Sequence, residues 1–370
     1  MPHQLPRPRI LLVPARYLPY QGGVEIHVYE VAKRLAQEGV EVAILTTDPD
    51  GRLPREELDN GVLIQRVPTW ALGDDYHLAP GIYKTIMRGR WDIVNCVGYH
   101  TFVAPLAMLA AWQTGTPYIV TLQSGGHSSR LRYALRVAQW EFLGPLMSHA
   151  SRLVAISNFE AEFFCRRWRF SREHFVVIPN GSDLPPIEPP QSGRDEALIV
   201  SVGRLVRYKG HHRMIAALPK VLAHFPTARL QIAGSGPFEP ELRRLAAELN
   251  VDSHVDIVCV QGADRVGMAR LLSRARLVTL LSEYESQGIA VMEALALGRP
   301  VLVTDTSALK EIVARGYARS VPLTASTDEI ATAILDQLRR PLIPTVKDLP
   351  TWDQCASDLL RLYREVVGLG

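Results

Sequence analysis

Cysteine is scarce in this sequence. The four present, Cys96, Cys165, Cys259 and Cys355, stand far apart and form neither a CxxC pair nor a zinc-ligand spacing. A disulfide framework and a structural zinc site are therefore not expected, and a reducing compartment fits the pattern. A long apolar run is missing as well, so neither a signal peptide nor a membrane-spanning helix is read. The chain reads as cytoplasmic, with docking on a membrane surface left open. Net charge is only +3, too little to point to nucleic acid as a partner. No low-complexity tract or short repeat interrupts the text. The dinucleotide fingerprint GxGxxG is absent too. After Gly234 and Gly236 the third glycine place holds Glu239, which disfavours NAD.

What the chain does have is apolar material, 47% of its 370 residues. One core rarely grows beyond roughly 250–300 residues, so two domains are expected. Short apolar runs alternate with helical patterns. RILLV (9–13) reads as a buried strand, followed by an amphipathic helix that ends at Gly39 and a second strand over 40–47. Further strands are read at 92–97, 117–122, 152–157 and 175–179. Such alternation argues for parallel sheets with helices on both faces. The stretch DLPPIEPPQSGR (183–194) cannot continue a helix or a central strand and reads as a linker. The alternation restarts at 197–203 and repeats at 228–234, 254–260, 276–281 and 300–304, and a last helix is expected over about 351–367. The expected division is 1–183 and 195–350, with 351–370 free to pack on either half.

Open α/β sheets bind ligands at the carboxyl ends of their strands. Gly22 and Gly23 follow the first strand and precede a helix. They suit close backbone approach to a phosphate, or a simple turn. In SVGRLVRYKGHH, Arg204 and Lys209 bracket a loop that leads into a helix. A planar fork and a point charge there suit a diphosphate, although a solvated basic loop is the commoner fate of such residues. The stretch SEYESQGIAVMEALALGRPV poses a sharper question. Glu285 lies ahead of a helix that starts near Gly288, and Glu293 lies in the second turn of that helix, which is apolar all round. Buried glutamates need partners. One reading makes Glu285 a helix-entry acid and pairs Glu293 with a structural arginine. The other aims Glu285, with the amides of Ser286, Gln287 and Gly288, at a ligand.

These motifs resemble a known family. ESQGIAVME resembles the E-x7-E signature of the retaining GT4 glycosyltransferases, which have the GT-B fold. GRLVRYKG is similar to their diphosphate loop, and QGGVEIHVYEVAKRLAQEGVEVAILT to their first helix and second strand. ISNFEAEFF, VIPNGSD and ALGRPVLVTDTSALKEIV also resemble family segments, in the family's order. The resemblance implies an α/β chain of two Rossmann-like, doubly wound parallel-sheet domains facing across a cleft. The first would bind the acceptor and the second a nucleotide-sugar donor, with the last helix crossing back to the first. Arg204 and Lys209 would hold the diphosphate, Glu285 the sugar hydroxyls and Glu293 the ribose hydroxyls. The backbone over Ser286, Gln287, Gly288 and Ile289, with Gly22 and Gly23, would complete the donor site. Hexose transfer from a UDP- or GDP-sugar to a glycan or lipid-linked acceptor, with retention and without metal or cofactor, is what the family implies. On that view the donor phosphate takes the acceptor proton and no protein nucleophile is needed.

Two departures stand out. Gln123 occupies a place where the family usually has His, and Gln cannot take up a proton at neutral pH. His127 and His100 are candidates near the same strand ends, or ordinary surface histidines. Gln287 stands where an aromatic is usual. A metal-binding reading of DPD (48–50) is weaker than a turn fixed by Pro49. Residues 130–172 hold eight arginines against three acids, either a face for anionic lipid at the inner membrane or solvated helix surface. A GT-B epimerase, a phosphorylase or a binding protein that has lost transfer are the rival readings. The pyridoxal lysine of a phosphorylase is not identifiable.

Overall fold

The structure, a computed structural model, describes residues 8–20, 22–71, 77–99, 101–124, 130–187, 197–260 and 264–369, with backbone alone at 71 and 130–138. The chain separates into two compact units. One comprises Met1–Ser124, Leu131–Gly181 and Pro350–Gly370; the other is built on Ser182–Leu349. Part of the expected linker, from residue 188 onward, lies outside the described residues.

The first unit runs β1 (Arg9–Pro14), α1 (Gly23–Gln37), β2 (Glu41–Asp48), β3 (Glu56–Asp59), β4 (Val62–Pro68), β5 (Trp70–Ala71), β6 (His77–Leu78), α2 (Pro80–Arg88), β7 (Ile93–Val97), α3 (Val103–Thr114), β8 (Tyr118–Thr121), α4 (Arg130–His149), β9 (Arg152–Ala155), α5 (Asn158–Trp168) and β10 (Phe175–Val177). Its main sheet has the order β10-β9-β8-β7-β1-β2-β4-β3. Every neighbouring pair is parallel except β3 and β4. The apolar run of β1 is buried throughout Ile10–Val13, as a central strand covered on both faces must be. The β3–β4 hairpin was not read from the sequence. Its Asn60-Gly61 turn has φ of 50° and 80°, the two positive values that a type I′ turn requires.

The second unit runs β11 (Leu198–Val202), α6 (His211–Leu222), β12 (Arg229–Ala233), α7 (Glu239–Glu248), β13 (Val255–Val258), α8 (Arg265–Arg274), β14 (Leu277–Leu280), α9 (Ile289–Ala296), β15 (Val301–Thr304), α10 (Leu309–Ala314), β16 (Arg319–Val321) and α11 (Thr327–Arg339). Its parallel sheet has the order β13-β12-β11-β14-β15-β16. From β11 the chain winds outward through β12 to β13, then returns to β14 and winds the other way. The reversal point, where such sheets bind ligands, is therefore between β11 and β14. It also sorts the helices. Residues of α6, α7 and α11 share one core with one face of the sheet, and those of α8, α9 and α10 share the other.

The final helix, α12 (Trp352–Val366), packs on α1 in the first unit. Trp352 and Tyr363 are fully buried. The Tyr363 hydroxyl accepts a 2.8 Å hydrogen bond from the Asn95 amide on β7. Arg34 of α1 pairs with Asp353 at 2.5 Å. Gly181 passes so close to this helix that a Cβ there would lie 2.2 Å from the Trp352 backbone nitrogen.

Candidate functional site

The carboxyl ends of β11 and β14 bring three of the expected residues together. After β11 the chain makes a loop, a turn of 3₁₀ helix over Arg207–Lys209, and then enters α6 through Gly210 in the left-handed region (φ 78°). The loop is fixed from below. Gly203 and Leu205 donate backbone hydrogen bonds to Ala233 and Ser235 at the exit of β12. Gly234 and Gly236 make this contact possible, since Cβ atoms there would lie 2.0 and 2.5 Å from backbone oxygens of Gly203 and Leu205. These glycines therefore serve loop-on-loop packing. His211, the first residue of α6, ties the loop to the sheet: Nδ1 lies 2.9 Å from the Ser201 hydroxyl and Nε2 3.3 Å from the Arg204 carbonyl. Burial, with Lys209 nearby, lowers its pKa to about 4, so a neutral ring that donates through Nε2 fits the geometry.

Lys209 Nζ lies 2.6 Å from Glu285 Oε1, and both side chains are largely covered. Ser282 donates to the same carboxylate oxygen at 2.7 Å. The Glu285 backbone N–H donates to the Ser307 hydroxyl at 2.8 Å, and its carbonyl accepts from Ala308. Burial acts to lower the Lys209 pKa, but Glu285 and Tyr208 outweigh it and the net shift is upward. Lys209 is therefore a fixed cation. Arg204 is half-buried and donates to the Tyr208 hydroxyl at 3.2 Å. Tyr208, Ser282 and Ser307 were not singled out in the sequence; isolated hydroxyls carry no spacing signal.

The E-x7-E segment takes the shape expected of it. Gly288, at φ 85°, caps α9, and Ile289 is its first residue. Ser286 is half-buried and Gln287 buried. Glu293 is ion-paired and hydrogen-bonded to Arg265, the first residue of α8, and both side chains are buried. Its carboxylate thus has the partner that a buried glutamate needs, an arginine that the sequence reading left unnamed. Arg265 stands at the carboxyl edge of the sheet, where α8 begins after β13.

In the first unit, Gly22 caps α1 and Gly23 begins it. Gln123 is buried just beyond β8, with φ of 45°, a backbone region that non-glycine residues rarely adopt. Its amide donates at 3.4 Å to the Asn180 side-chain oxygen, which also lies 2.7 Å from His27 Nδ1. Burial, against the Asn180 hydrogen bond, lowers the His27 pKa to about 4. His100 and His127 lie outside the described residues. In DPD, Asp48 accepts from the Leu53 N–H and Asp50 from the Tyr20 hydroxyl. Among the described residues no group of three or more His, Cys, Asp or Glu could hold a metal ion.

Beside Gln123, the fully buried Glu160 accepts from Ser124 N–H at 2.6 Å, from the Ser124 hydroxyl at 2.5 Å and from Ile156 N–H at 2.9 Å. Burial raises its pKa to about 7, against these hydrogen bonds, which lower it. The folded state therefore keeps a proton that the unfolded chain releases near pH 4.5. This contribution to stability is complete below that pH and is lost as pH rises through about 7. Urea unfolding of the first unit should accordingly weaken between pH 5 and 7.5, by on the order of 3 kcal/mol. Glu160→Gln should flatten that part of the profile. An unchanged pH slope in the variant would remove Glu160 as its source.

Two doubly wound, predominantly parallel sheets, each in its own unit, define the class by fold: GT-B, as in the solved structures it resembles. The chain belongs to the GT4 family. The model of Glycosyltransferase Family 4 matches residues 21–185, and that of Glycosyl transferases group 1 matches residues 187–348. A phosphatidyl-myo-inositol mannosyltransferase from Mycolicibacterium smegmatis is 28% identical, over 94% of this chain and 92% of its own. A D-inositol 3-phosphate glycosyltransferase from Nocardiopsis dassonvillei is 26% identical, over 93% and 89%. Among solved structures, sucrose-phosphate synthase from Thermosynechococcus elongatus gives a TM-score of 0.79 at 21% identity, covering 98% of this chain and 100% of its own. An Anabaena protein solved with UDP and glucose gives 0.69 at 19% identity, covering 98% and 97%.

Proposed function

We propose that this transferase moves a hexose from a UDP- or GDP-sugar to a lipid-linked or glycan acceptor, with retention of anomeric configuration and without a metal. The observation that carries the reading is the Lys209–Glu285 pair at the switch point of the second sheet. As the sugar–phosphate bond breaks, negative charge builds on the diphosphate. Lys209 and Arg204, already fixed, stabilise it without reorganisation. Glu285 accepts hydrogen bonds from sugar hydroxyls and orients the ring. The acceptor hydroxyl attacks from the face the diphosphate leaves, and a donor phosphate oxygen takes its proton. The amides of Ser286–Ile289, at the start of α9, add donors that a helix N-terminus leaves without intrahelical partners.

The named relatives, one acting on phosphatidyl-myo-inositol and one on D-inositol 3-phosphate, support an acceptor that carries a phosphorylated inositol. Docking at an anionic membrane surface accompanies that reading. Phe142 is 79% exposed, Arg166 and Arg169 lie on the surface, and no described helix is long and apolar enough to cross a membrane.

The test is a panel of UDP- and GDP-sugars, scored for binding, slow hydrolysis and product anomer by NMR, with and without chelator. One donor should bind and react with retention, unaffected by chelation. Inversion, or a strict need for a divalent ion, would exclude the mechanism. Binding without any turnover across acceptors would favour a protein that has kept the site and lost transfer.

A further inference from the structure

We infer that Arg265 is a positioning residue for the nucleoside of the donor: it holds Glu293 in the orientation that recognises the ribose diol. The inference rests on the donor site proposed above and adds a residue to it. Three observations meet here. First, α9 packs its Val291, Met292, Ala294 and Leu295 into the core, so a carboxylate at 293 sits among apolar side chains. An isolated buried carboxylate neutralises instead of staying charged. The guanidinium of Arg265 supplies the counter-charge, and the two side chains are 6% and 3% exposed.

Second, Arg265 occupies the first position of α8, where the helix dipole disfavours a cation. Asp264, the N-cap, meets the helix's own need by accepting from the Gly267 N–H at 2.7 Å. Capping and dipole thus leave Arg265 without a helix-level reason, and its contact with Glu293 supplies one. Third, the contact lies at the ligand-binding edge. Both α8 and α9 begin at the carboxyl ends of strands of one sheet, and the reversal of strand order sets them on the same face. A carboxylate pinned by a planar fork keeps a fixed plane. A vicinal diol needs that: two hydroxyl donors converging on one oriented acceptor.

The chemistry recognised is therefore a ribonucleoside diphosphate, discriminated from its 2′,3′-dideoxy counterpart. Calorimetry with UDP and GDP identifies the diphosphate that wild type binds; its dideoxy form is then titrated alongside. Wild type should prefer the ribo form by ten-fold or more. Arg265→Met should bring that ratio close to one while leaving the dideoxy affinity near its wild-type value. Arg265→Lys keeps the charge but not the fork, and should give an intermediate ratio. Should Arg265→Met fail to fold, Arg265→Met/Glu293→Gln, which leaves no unpaired charge, is expected to fold and to show a ratio near one. A wild-type ratio in Arg265→Lys together with either methionine variant would make Arg265 merely structural and overturn the inference. Equal affinity of wild type for ribo and dideoxy forms would overturn it too, but through Glu293. In that case loss of diphosphate binding in a Lys209 variant would still uphold the donor site itself.

Discussion

Lys209→Ala should lower kcat/KM by about a hundred- to a thousand-fold, the loss typical of removing one fixed stabiliser of developing charge. The difficulty is that Lys209 also partners a buried carboxylate. Glu285 Oε1 receives Lys209 at 2.6 Å and Ser282 at 2.7 Å, and the Glu285 residue is only 8% exposed. Removing one member of such a pair costs about 3–5 kcal/mol because the other charge stays buried without compensation. Part of any activity loss could therefore be loss of fold. Lys209→Ala/Glu285→Gln separates the two. It leaves no unpaired charge, so thermal stability should return toward wild type, while transfer stays down at least as far as in the single variant. Steady-state kinetics and a melting curve on the three proteins decide the matter. Recovery of activity together with stability would show that Lys209 serves the fold alone.

Gly210→Ala is expected to destabilise the second unit by about 3 kcal/mol or more and to abolish donor binding. The backbone at Gly210 is left-handed, φ 78°, which costs a residue with a Cβ roughly 1–2 kcal/mol. The larger cost is steric. A Cβ there would lie 2.0 Å from the Leu281 carbonyl oxygen, at the exit of β14 that leads to Glu285. Relief requires β14's exit and the Lys209 turn to part, which separates the two halves of the site. Gly298→Ala is the matched control: φ is 64° and nothing lies within 4 Å of its Cβ. It should cost only the backbone term, roughly 1–2 kcal/mol. Chemical denaturation of both variants tests the steric account, which a Gly210→Ala variant as mild as Gly298→Ala would refute.

Legibility in the sequence followed the range of the interactions. The apolar strands and the helix beginning at Gly288 are written locally, as runs and as a glycine at a helix start, and so were readable. The β3 strand EELD carries no apolar alternation, because an edge strand has little to bury, and only its Asn-Gly turn announced it. The three-residue β16 is too short to show any period. Lys209 and Glu285 were each singled out because both stand beside recognisable loops, but their pairing across 76 residues was not read. The Arg265–Glu293 pair, across 28 residues, was not read either. It depends on the crossover from β13 back to β14, which places two helix starts on one face; residue spacing does not encode that. The partner of Glu293 could not be identified without that topology.

The returning helix α12 also has a consequence during synthesis. The body of the second unit, Ser182–Leu349, is one continuous stretch, and its last strand and helix are made before residue 340. The first unit is not: Asn95 must wait 268 residues for Tyr363, and Arg34 must wait 319 for Asp353. Chains emerge from the ribosome at roughly 5–20 residues per second. All eight strands of the first unit's large sheet, the last ending at Val177, are thus made many seconds before the helix that packs on α1 exists. The part made first is the part completed last.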